Sequence, residues 1–466
     1  MISKVFCITV NWLDSDLIEV EVDINPWLPS FTIVWLPDIW VQESKERLRS
    51  ALKSSTFKLP TTKITVNLAP ADIKKSWPSF DLPIAVWILK NAWYIQESDY
   101  FLNSIFIWEL SLDWSLRNVA SVLPSVIWAM EKGFKNIFVP SENYFEASII
   151  EWINIFWVKS LQELVDFLNW DIKIQNPEKI DINSIKKIID KKYDFKYIVW
   201  QNQAKRALQI AAAWLHNIIM SWPPGSWKTM LAKTFSTILP ELTMDEMLEI
   251  SKIYSISGLL TKQMPLITQR PFRTVHHTAS SVSIVWGGNK ARPWEISLAH
   301  KWVLFLDEVL EFPKQVLEVL RQPLEDGNIT INRVNSSFTY PSKFVLVWAL
   351  NPCPCGYLTD PDKDCICTSD QIKRYRSKLS WPMIDRIDIM IEVPKVKVED
   401  FWINKDFLWV ETSFDIQKKV QNARDIQLKR FAWTKITSNS QMWQKEISKF
   451  CILDDESENM LKKAIS

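Results

Sequence analysis

The chain has 466 residues, enough for two or three domains, and its 47% hydrophobic and 23% charged residues are those of an ordinary globular protein. A formal net charge of +1 excludes a global basic field for nucleic acid, so any basic face must be local. No apolar run reaches the roughly 18 residues of a membrane span, and Met1-Ile2-Ser3-Lys4-Val5-Phe6 lacks a signal-peptide pattern, so a cytoplasmic protein without membrane contact is expected.

Residues 1 to about 170 mix strand and helix patterns. Leu17–Ile24 alternates apolar and acidic residues as a half-buried strand does, and Phe31–Val34, Lys63–Leu68 and Asn136–Val139 read as further strands. Val41–Ser55 and Leu82–Leu89 carry helical periodicity. This mixture predicts an α/β or α+β domain. Residues 171–196 are polar and charge-rich and read as a linker or peripheral helix. A second domain is expected over 197–400, opening with an amphipathic helix at Gln201–Leu215 and a short strand at Asn217–Met220. From 401 to 466 the chain reads as helical and charged.

Glycine is scarce and tryptophan abundant, 7 against 26. Together they make up about the share that glycine alone normally holds. Several tryptophans stand where glycine chemistry is wanted: Trp27 in Pro26-Trp27-Leu28-Pro29, Trp35 and Trp40 around Leu36-Pro37-Asp38-Ile39, and Trp286 beside Gly287-Gly288. Two readings follow: a tryptophan-rich protein, or UGA codons written as Trp and translated as Gly.

Trp222-Pro223-Pro224-Gly225-Ser226-Trp227-Lys228-Thr229 has the spacing G-x-x-x-x-G-K-[ST] with Trp at both glycine positions, between a strand and a helical pattern at Met230–Thr237. Backbone N–H groups in such a loop cradle a β-phosphate, which requires close backbone approach. Lys228 would neutralise phosphate charge and Thr229 would offer its hydroxyl to Mg²⁺. An indole at 227 would obstruct that site, which favours glycine there. Val303-Leu304-Phe305-Leu306-Asp307-Glu308 reads as a buried parallel strand delivering two acids to its C-terminal edge, Asp307 for Mg²⁺ and Glu308 to polarise the attacking water. The strand Phe344–Leu350 ends in Asn351, which reads either as orienting water against a γ-phosphate or as a strand-end cap. Arg386 follows a helical pattern. It reads either as an arginine offered to a neighbouring subunit's γ-phosphate or as a surface ion pair with Asp385 or Asp388.

These motifs resemble the magnesium-chelatase-like AAA+ ATPases of the ComM (YifB) type. The resemblance extends to Leu17–Asp23, Leu28–Asp38, Val66–Asp72, Phe80–Ala85, Arg270–Arg273 with His276-His277, and Glu295–His300. It implies a P-loop AAA+ domain with a parallel sheet over 197–400 and a hexameric ring with ATP and Mg²⁺ at subunit interfaces. Asn351 would be sensor 1 and Arg386 the trans-acting finger. It also implies branched or single-stranded DNA as substrate, with branch migration or helicase activity in recombination and natural transformation. A remodelling or chelatase-type ATPase acting on a partner protein is the alternative.

The region 1–170 resembles the Lon-protease (ribosomal S5 domain 2-like) α+β fold. Ser79 in Trp77-Pro78-Ser79 falls where Lon-type proteases carry Gly-Pro-Ser, but Asn118–Pro124 offers no lysine as base, so no proteolysis is expected. Relatives of this type continue past the equivalent of Ser466 with a helical segment carrying a sensor 2 arginine. Residues 401–466 are therefore expected to be a partial lid.

Cys353-Pro354-Cys355 and Cys365-Ile366-Cys367 are two C-x-C pairs able to close a Zn²⁺ site, tighter than the usual C-x₂₋₄-C spacing. The other reading is four reduced cysteines in a loop. His276 and His277 read as loop or pore-insert residues rather than metal ligands. Arg270, Arg273, Lys290 and Arg292 are expected in an insert that faces a ring's channel and tracks a phosphate backbone, or else in a solvated loop. Lys373, Arg374, Arg376 and Lys378 make a basic segment that serves a subunit interface or DNA, or is a solvated helix face.

Overall fold

The computed structural model describes residues 5–11, 13–34, 46–48, 50, 57, 62–70, 80–96, 100, 103–111, 115–174, 192–198, 201–223, 228–270, 272–278, 295–301, 303–333, 336–394, 411–434 and 436–465. Two compact units make up the chain, Met1–Lys187 with Met244–Thr268, and Ile188–Thr243 with Gln269–Ser466.

The first unit is built on a seven-stranded sheet. Its strands are β1 (Val5–Asn11), β2 (Asp14–Asn25), β3 (Ser30–Val34), β4 (Lys63–Ala69) and β5 (Ser104–Phe106). After a short ribbon of β6 (Glu109–Leu110) and β7 (Leu116–Arg117) come β8 (Asn136–Pro140) and β9 (Asn154–Val158). The spatial order is β3-β4-β2-β1-β5-β8-β9. Only β1–β2 and β2–β4 pair antiparallel; the other neighbours run parallel. In β2 the alternation has its expected result, with Ile18, Val20 and Val22 buried while Glu19, Glu21 and Asp23 stay on the wetter face. Helices α1 (Asp81–Asn91), α2 (Val122–Glu131), α3 (Tyr144–Ala147) and α4 (Leu161–Leu168) belong to this unit. The helix expected at Val41–Ser55 falls mostly, and Ser79 wholly, outside the described residues.

The second unit opens with α5 (Asn202–Trp214), β10 (Ile218–Ser221) and α6 (Lys228–Ser236). The chain then leaves it: α7 (Met244–Ile256) belongs to the first unit. There Ser121 N donates to Ser255 O at 3.2 Å, and the buried Glu146 of α3 accepts from Ser255 Oγ, from Leu123 N at 2.9 Å and from Asn143 Nδ2 at 3.3 Å. Back in the second unit follow β11 (Phe272–Val275), α8 (Glu295–Leu298), β12 (Val303–Leu306), α9 (Lys314–Val319) and α10 (Arg321–Asp326). Next come the hairpin of β13 (Asn328–Arg333) and β14 (Ser336–Pro341), then β15 (Val345–Leu350), α11 (Ser369–Arg376), α12 (Trp381–Ile384) and β16 (Ile389–Glu392).

The sheet order is β11-β12-β15-β10-β16, and every pairing is parallel. All four residues of β12 are buried, as a parallel strand covered on both faces requires. Three helices end the chain, α13 (Ser413–Arg430), α14 (Gln444–Phe450) and α15 (Asp455–Ile465). A capping box between Thr412 and Asp415 starts α13, and its buried Ile416 and Val420 join the core of Val303, Phe305, Val345 and Val347. No helix among the described residues is long and apolar enough to cross a membrane.

Four helix ends of the first unit close alike. After α1, Trp93 N donates to Lys90 O and Tyr94 N to Leu89 O; after α2, Gly133 N donates to Met130 O and Phe134 N to Ala129 O. After α4 the pairs are Trp170–Phe167 and Asp171–Asp166, and after α7 Gly258–Ser255 and Leu259–Tyr254. The turning residue is left-handed each time, with φ 63° at Trp93, 81° at Gly133, 67° at Trp170 and 69° at Gly258. This is the double-bonded helix stop for which glycine is the ordinary residue. Leu215 takes the same region after α5.

Candidate functional site

In the second unit the C-terminal ends of β10, β12 and β15 lie side by side, because β15 sits between the other two in register. Ligands of parallel sheets bind at that edge. β10 runs out through Ser221 into Trp222, whose N donates to Leu350 O at 3.0 Å. Trp222 and Pro223 are buried, while Pro224, Gly225, Ser226 and Trp227 lie outside the described residues. The chain resumes with Lys228 as the first residue of α6 and Thr229 exposed beside it.

Lys228 donates through Nζ to Oδ1 of Asn351, just past the end of β15. Burial holds the Lys228 ammonium below its ordinary pKa, and the charges of Asp307 and Glu308 pull it back up. A half-buried cation, two acids and a strand-end amide thus meet at one sheet edge. The donor set suits a triphosphate with its divalent cation: Lys228 for phosphate oxygens, Thr229 and Asp307 as hard oxygen ligands for Mg²⁺. Asn351 reaches well beyond its own strand end, which the cap reading did not anticipate.

Asp307 Oδ1 accepts from Glu308 N at 2.9 Å. Glu308 itself is left-handed, with φ 52° and ψ 47°, a conformation uncommon for residues other than glycine. Its Oε2 lies 3.6 Å from His277 Nδ1. His277 lies in the turn that follows β11, as the loop reading expects, and stands against Glu308 two residues past β12, because β11 is the parallel neighbour of that strand. His276 stacks obliquely on His277 with ring centroids 4.3 Å apart, and its Nδ1 meets Thr278 Oγ1 at 3.0 Å. Arg273 is bound to Glu295, and Arg270 is buried on the carbonyls of Pro240 and Lys301, both at 2.7 Å. These two arginines are therefore structural ties rather than free cations of an insert. Lys290 and Arg292 lie outside the described residues.

Arg386 does not take either acid expected for it. Its Nη2 donates to Glu325 Oε1 at 2.6 Å and its Nη1 to Pro382 O at 3.3 Å, while Asp388 holds Asn217 N at 2.9 Å and His216 at 3.1 Å. The basic segment is mixed. Lys378 donates to Leu310 O and Arg376 to Pro352 O, whereas Lys373 and Arg374 belong to the exposed face of α11.

The four cysteines come together after Asn351. The Sγ atoms of Cys353, Cys355, Cys365 and Cys367 lie within 4.8 Å of one another. Cys353–Cys355 is 3.3 Å, and Cys353–Cys365 and Cys355–Cys365 are 3.6 Å. These are far longer than the ~2.05 Å of a disulfide. They are close to the ~3.8 Å edge of a tetrahedron with ~2.3 Å zinc–sulfur bonds. The Tyr357 N–H holds the Cys355 thiol down, to about 6; Cys365, despite the Cys367 N–H, is pushed up to about 12 by burial and the neighbouring sulfurs. Four sulfurs this close cannot all ionise without a cation between them.

Residues 194–401 match the family described as magnesium chelatase, subunit ChlI; residues 20–143 match subunit ChlI of Mg-chelatase, and 410–466 its C-terminal family. The competence protein ComM of Haemophilus influenzae is 39% identical over 457 residues, covering 97% of this chain and 87% of its own. The protein YifB of Salmonella typhimurium is 36% identical over 448 residues (96% and 86%), and YifB of Escherichia coli 36% over 439 (94% and 84%).

Proposed function

Because this chain belongs to the ComM/YifB-type family of magnesium-chelatase-like proteins, we propose that it is an ATP-hydrolysing AAA+ ring motor acting on DNA in the cytoplasm. The observation that carries the reading is the meeting of Lys228, Asn351, Asp307 and Glu308 at one edge of a parallel sheet.

In this reading Lys228 leaves Asn351 to bind the terminal phosphates, and the freed Asn351 amide orients the attacking water. Glu308 accepts that water's proton on a carboxylate oxygen as the water oxygen bonds to the γ-phosphorus and the bond from that phosphorus to the β–γ bridging oxygen breaks, so that ADP and phosphate leave. Thr229 and Asp307 would hold Mg²⁺, which would neutralise charge on the phosphates. Arg386 serves the neighbouring protomer of a hexamer, where its guanidinium stabilises transition-state charge. The phosphate loop is taken to carry glycine at 222 and 227. Trp222 supports this, since its fully buried indole N–H finds no acceptor among the described residues.

The first unit is read as a Lon-like, non-proteolytic module, and α13 to α15 as helices of a lid. The cysteine cluster is read as structural zinc stapling the loop after Asn351. Branched or single-stranded DNA is the proposed substrate, and branch migration in recombination and transformation the proposed task. The competence protein among the relatives supports this choice.

The test is ATP hydrolysis with and without a four-way DNA junction. Stimulation by the junction is expected, with log affinity falling linearly against log salt. Hydrolysis indifferent to DNA and dependent on a protein partner would favour the remodelling reading.

A further inference from the structure

The helix α11 joins the cysteine cluster to two turns at the sheet edge. It starts directly after Cys367, where Thr368 caps it: Thr368 Oγ1 accepts from Gln371 N at 3.3 Å, and Gln371 Oε1 accepts from Thr368 N at 2.9 Å. At the other end, Arg376 donates through Nε and Nη2 to Pro352 O at 3.4 and 3.3 Å, between Asn351 and Cys353. Two residues further on, Lys378 Nζ donates at 2.5 Å to Leu310 O, in the 3₁₀ turn Val309–Glu311 that follows Glu308. Tyr375 is buried beside them, its ring centroid 5.5 Å from Lys378 Nζ and its hydroxyl hydrogen-bonded to Glu311 of the same turn. Burial first, and then the Glu311 carboxylate, raise the pKa of that hydroxyl, so it keeps its proton and donates.

We propose that Tyr375, Arg376 and Lys378 are positioning residues: the end of α11 locks the turn after Glu308 to the loop after Asn351, and the cysteine cluster anchors the helix that does so. The proposal rests on reading Glu308 as the base and Asn351 as the residue that orients the water. Both stand just past a strand end, β12 and β15, where ladder hydrogen bonds no longer hold the backbone. The donors from α11 take over that task on both sides at once. A displacement of about 1 Å at such a site can cost about 10² in rate, so a loosened turn reads out in kcat rather than in nucleotide affinity.

Steady-state ATP hydrolysis and zinc content of the full chain test this. Lys378→Met keeps the aliphatic stem and Tyr375→Phe the ring. Each is expected to lower kcat about tenfold, with KM for ATP within about twofold and zinc still bound. Lys378→Arg, which can still donate to Leu310 O, is expected to recover most of the loss. Cys355→Ser should lose zinc and lower kcat by a similar factor. Combined with Lys378→Met it should cost little more, because both act through one helix. A wild-type kcat in both Lys378→Met and Tyr375→Phe, or a loss confined to KM, overturns the positioning role. A wild-type kcat in zinc-free Cys355→Ser overturns the anchoring. Glu308→Gln separates the two levels. If it still hydrolyses ATP at the wild-type rate, the base reading fails; if it is inactive while Lys378→Met and Tyr375→Phe behave as wild type, only the positioning role fails.

The matched helix ends carry a second inference. Trp93 and Trp170 make the same two hydrogen bonds, in the same left-handed conformation, as Gly133 and Gly258. A side chain in that conformation drives its Cβ against the carbonyl, which glycine avoids. Trp93 is also 92% exposed, so no packing explains a large aromatic there. We infer that positions 93 and 170 are glycine in the protein made by its own ribosomes. Tandem mass spectrometry of that protein should show a glycine residue mass at both; a tryptophan mass at either overturns the inference. As an independent check, Trp93→Gly and Trp170→Gly in the protein as written should each raise the melting temperature by about 2–4 °C. A fall in melting temperature in both counts against it.

Discussion

The Nζ of Lys228 is hydrogen-bonded to Oδ1 of Asn351, a residue 123 positions later at the end of another strand. The contact links the start of α6 to the exit of β15 and leaves the ammonium half-buried, close to the charges of Asp307 and Glu308. Replacing one partner should therefore affect the other's work differently. Lys228→Ala is expected to abolish ATP binding. Asn351→Ala should leave ATP binding within a few-fold while kcat falls by about 10²-fold, the usual scale for one lost polar group in a transition state. Nucleotide binding by fluorescence and hydrolysis by phosphate release check the two separately.

Arg386 is held by Glu325, which also accepts from Arg321 at 2.8 Å. If Arg386 acts across a subunit interface, Arg386→Ala should cut hydrolysis by about 10³-fold or more while each chain still binds ATP. Mixing Arg386→Ala with Lys228→Ala chains should recover part of the activity, because some interfaces then pair an intact Lys228 with an intact Arg386. A mixture no more active than its components would refute action between subunits.

Purified protein should contain one zinc per chain, measured by plasma emission spectrometry. Cys355→Ser should lose it, and a strong chelator should lower the melting temperature of the wild type but not of the variant, since binding energy at a structural site is folding energy. A metal-free wild type with an unchanged melting temperature removes zinc from the account.

Burial raises the pKa of the Glu146 carboxyl above its ordinary value of 4.5, against the Ser255, Leu123 and Asn143 donors that pull it down. The folded state thus binds this proton more tightly than the unfolded chain. The stabilisation is complete below the unfolded pKa and is lost as pH rises through the raised folded value. Glu146→Gln removes the titration. The melting temperature of the wild type, relative to that of the variant, should fall as pH is raised from about 4.5 toward neutrality. A pH-independent difference between the two contradicts the burial argument.

Much of the site could be read from the chain because its signals are local. Val303–Leu306 had to be a covered strand, and two acids directly after it had to reach the sheet edge. The C-x-C pairs announced the cysteine cluster in the same way. Contacts set by register or by tertiary return were invisible. His277 and Glu308 are 31 positions apart and meet only because β11 chooses β12 as its parallel neighbour. Glu325 and Arg386 are separated by 61 positions, and nearer acids at 385 and 388 were the obvious partners on spacing alone. In the first unit β2 and β4 were legible from alternation, whereas β9 (Asn154–Val158) carries aromatic and apolar residues without a clear period.

The membership of α7 in the first unit bears on how the protein can be taken apart. Residues 244–268 are flanked on both sides by chain of the second unit, so the backbone passes between the units three times rather than once. A fragment starting at 188 would retain α7 but lose the core against which Leu248 packs and the carboxylate that accepts from Ser255, leaving an apolar side chain and an unanswered Ser255 hydroxyl in water. Proteolytic trimming or recombinant truncation to residues 188–466 should therefore yield a sticky, poorly behaved product, and the two units are best expressed and purified together.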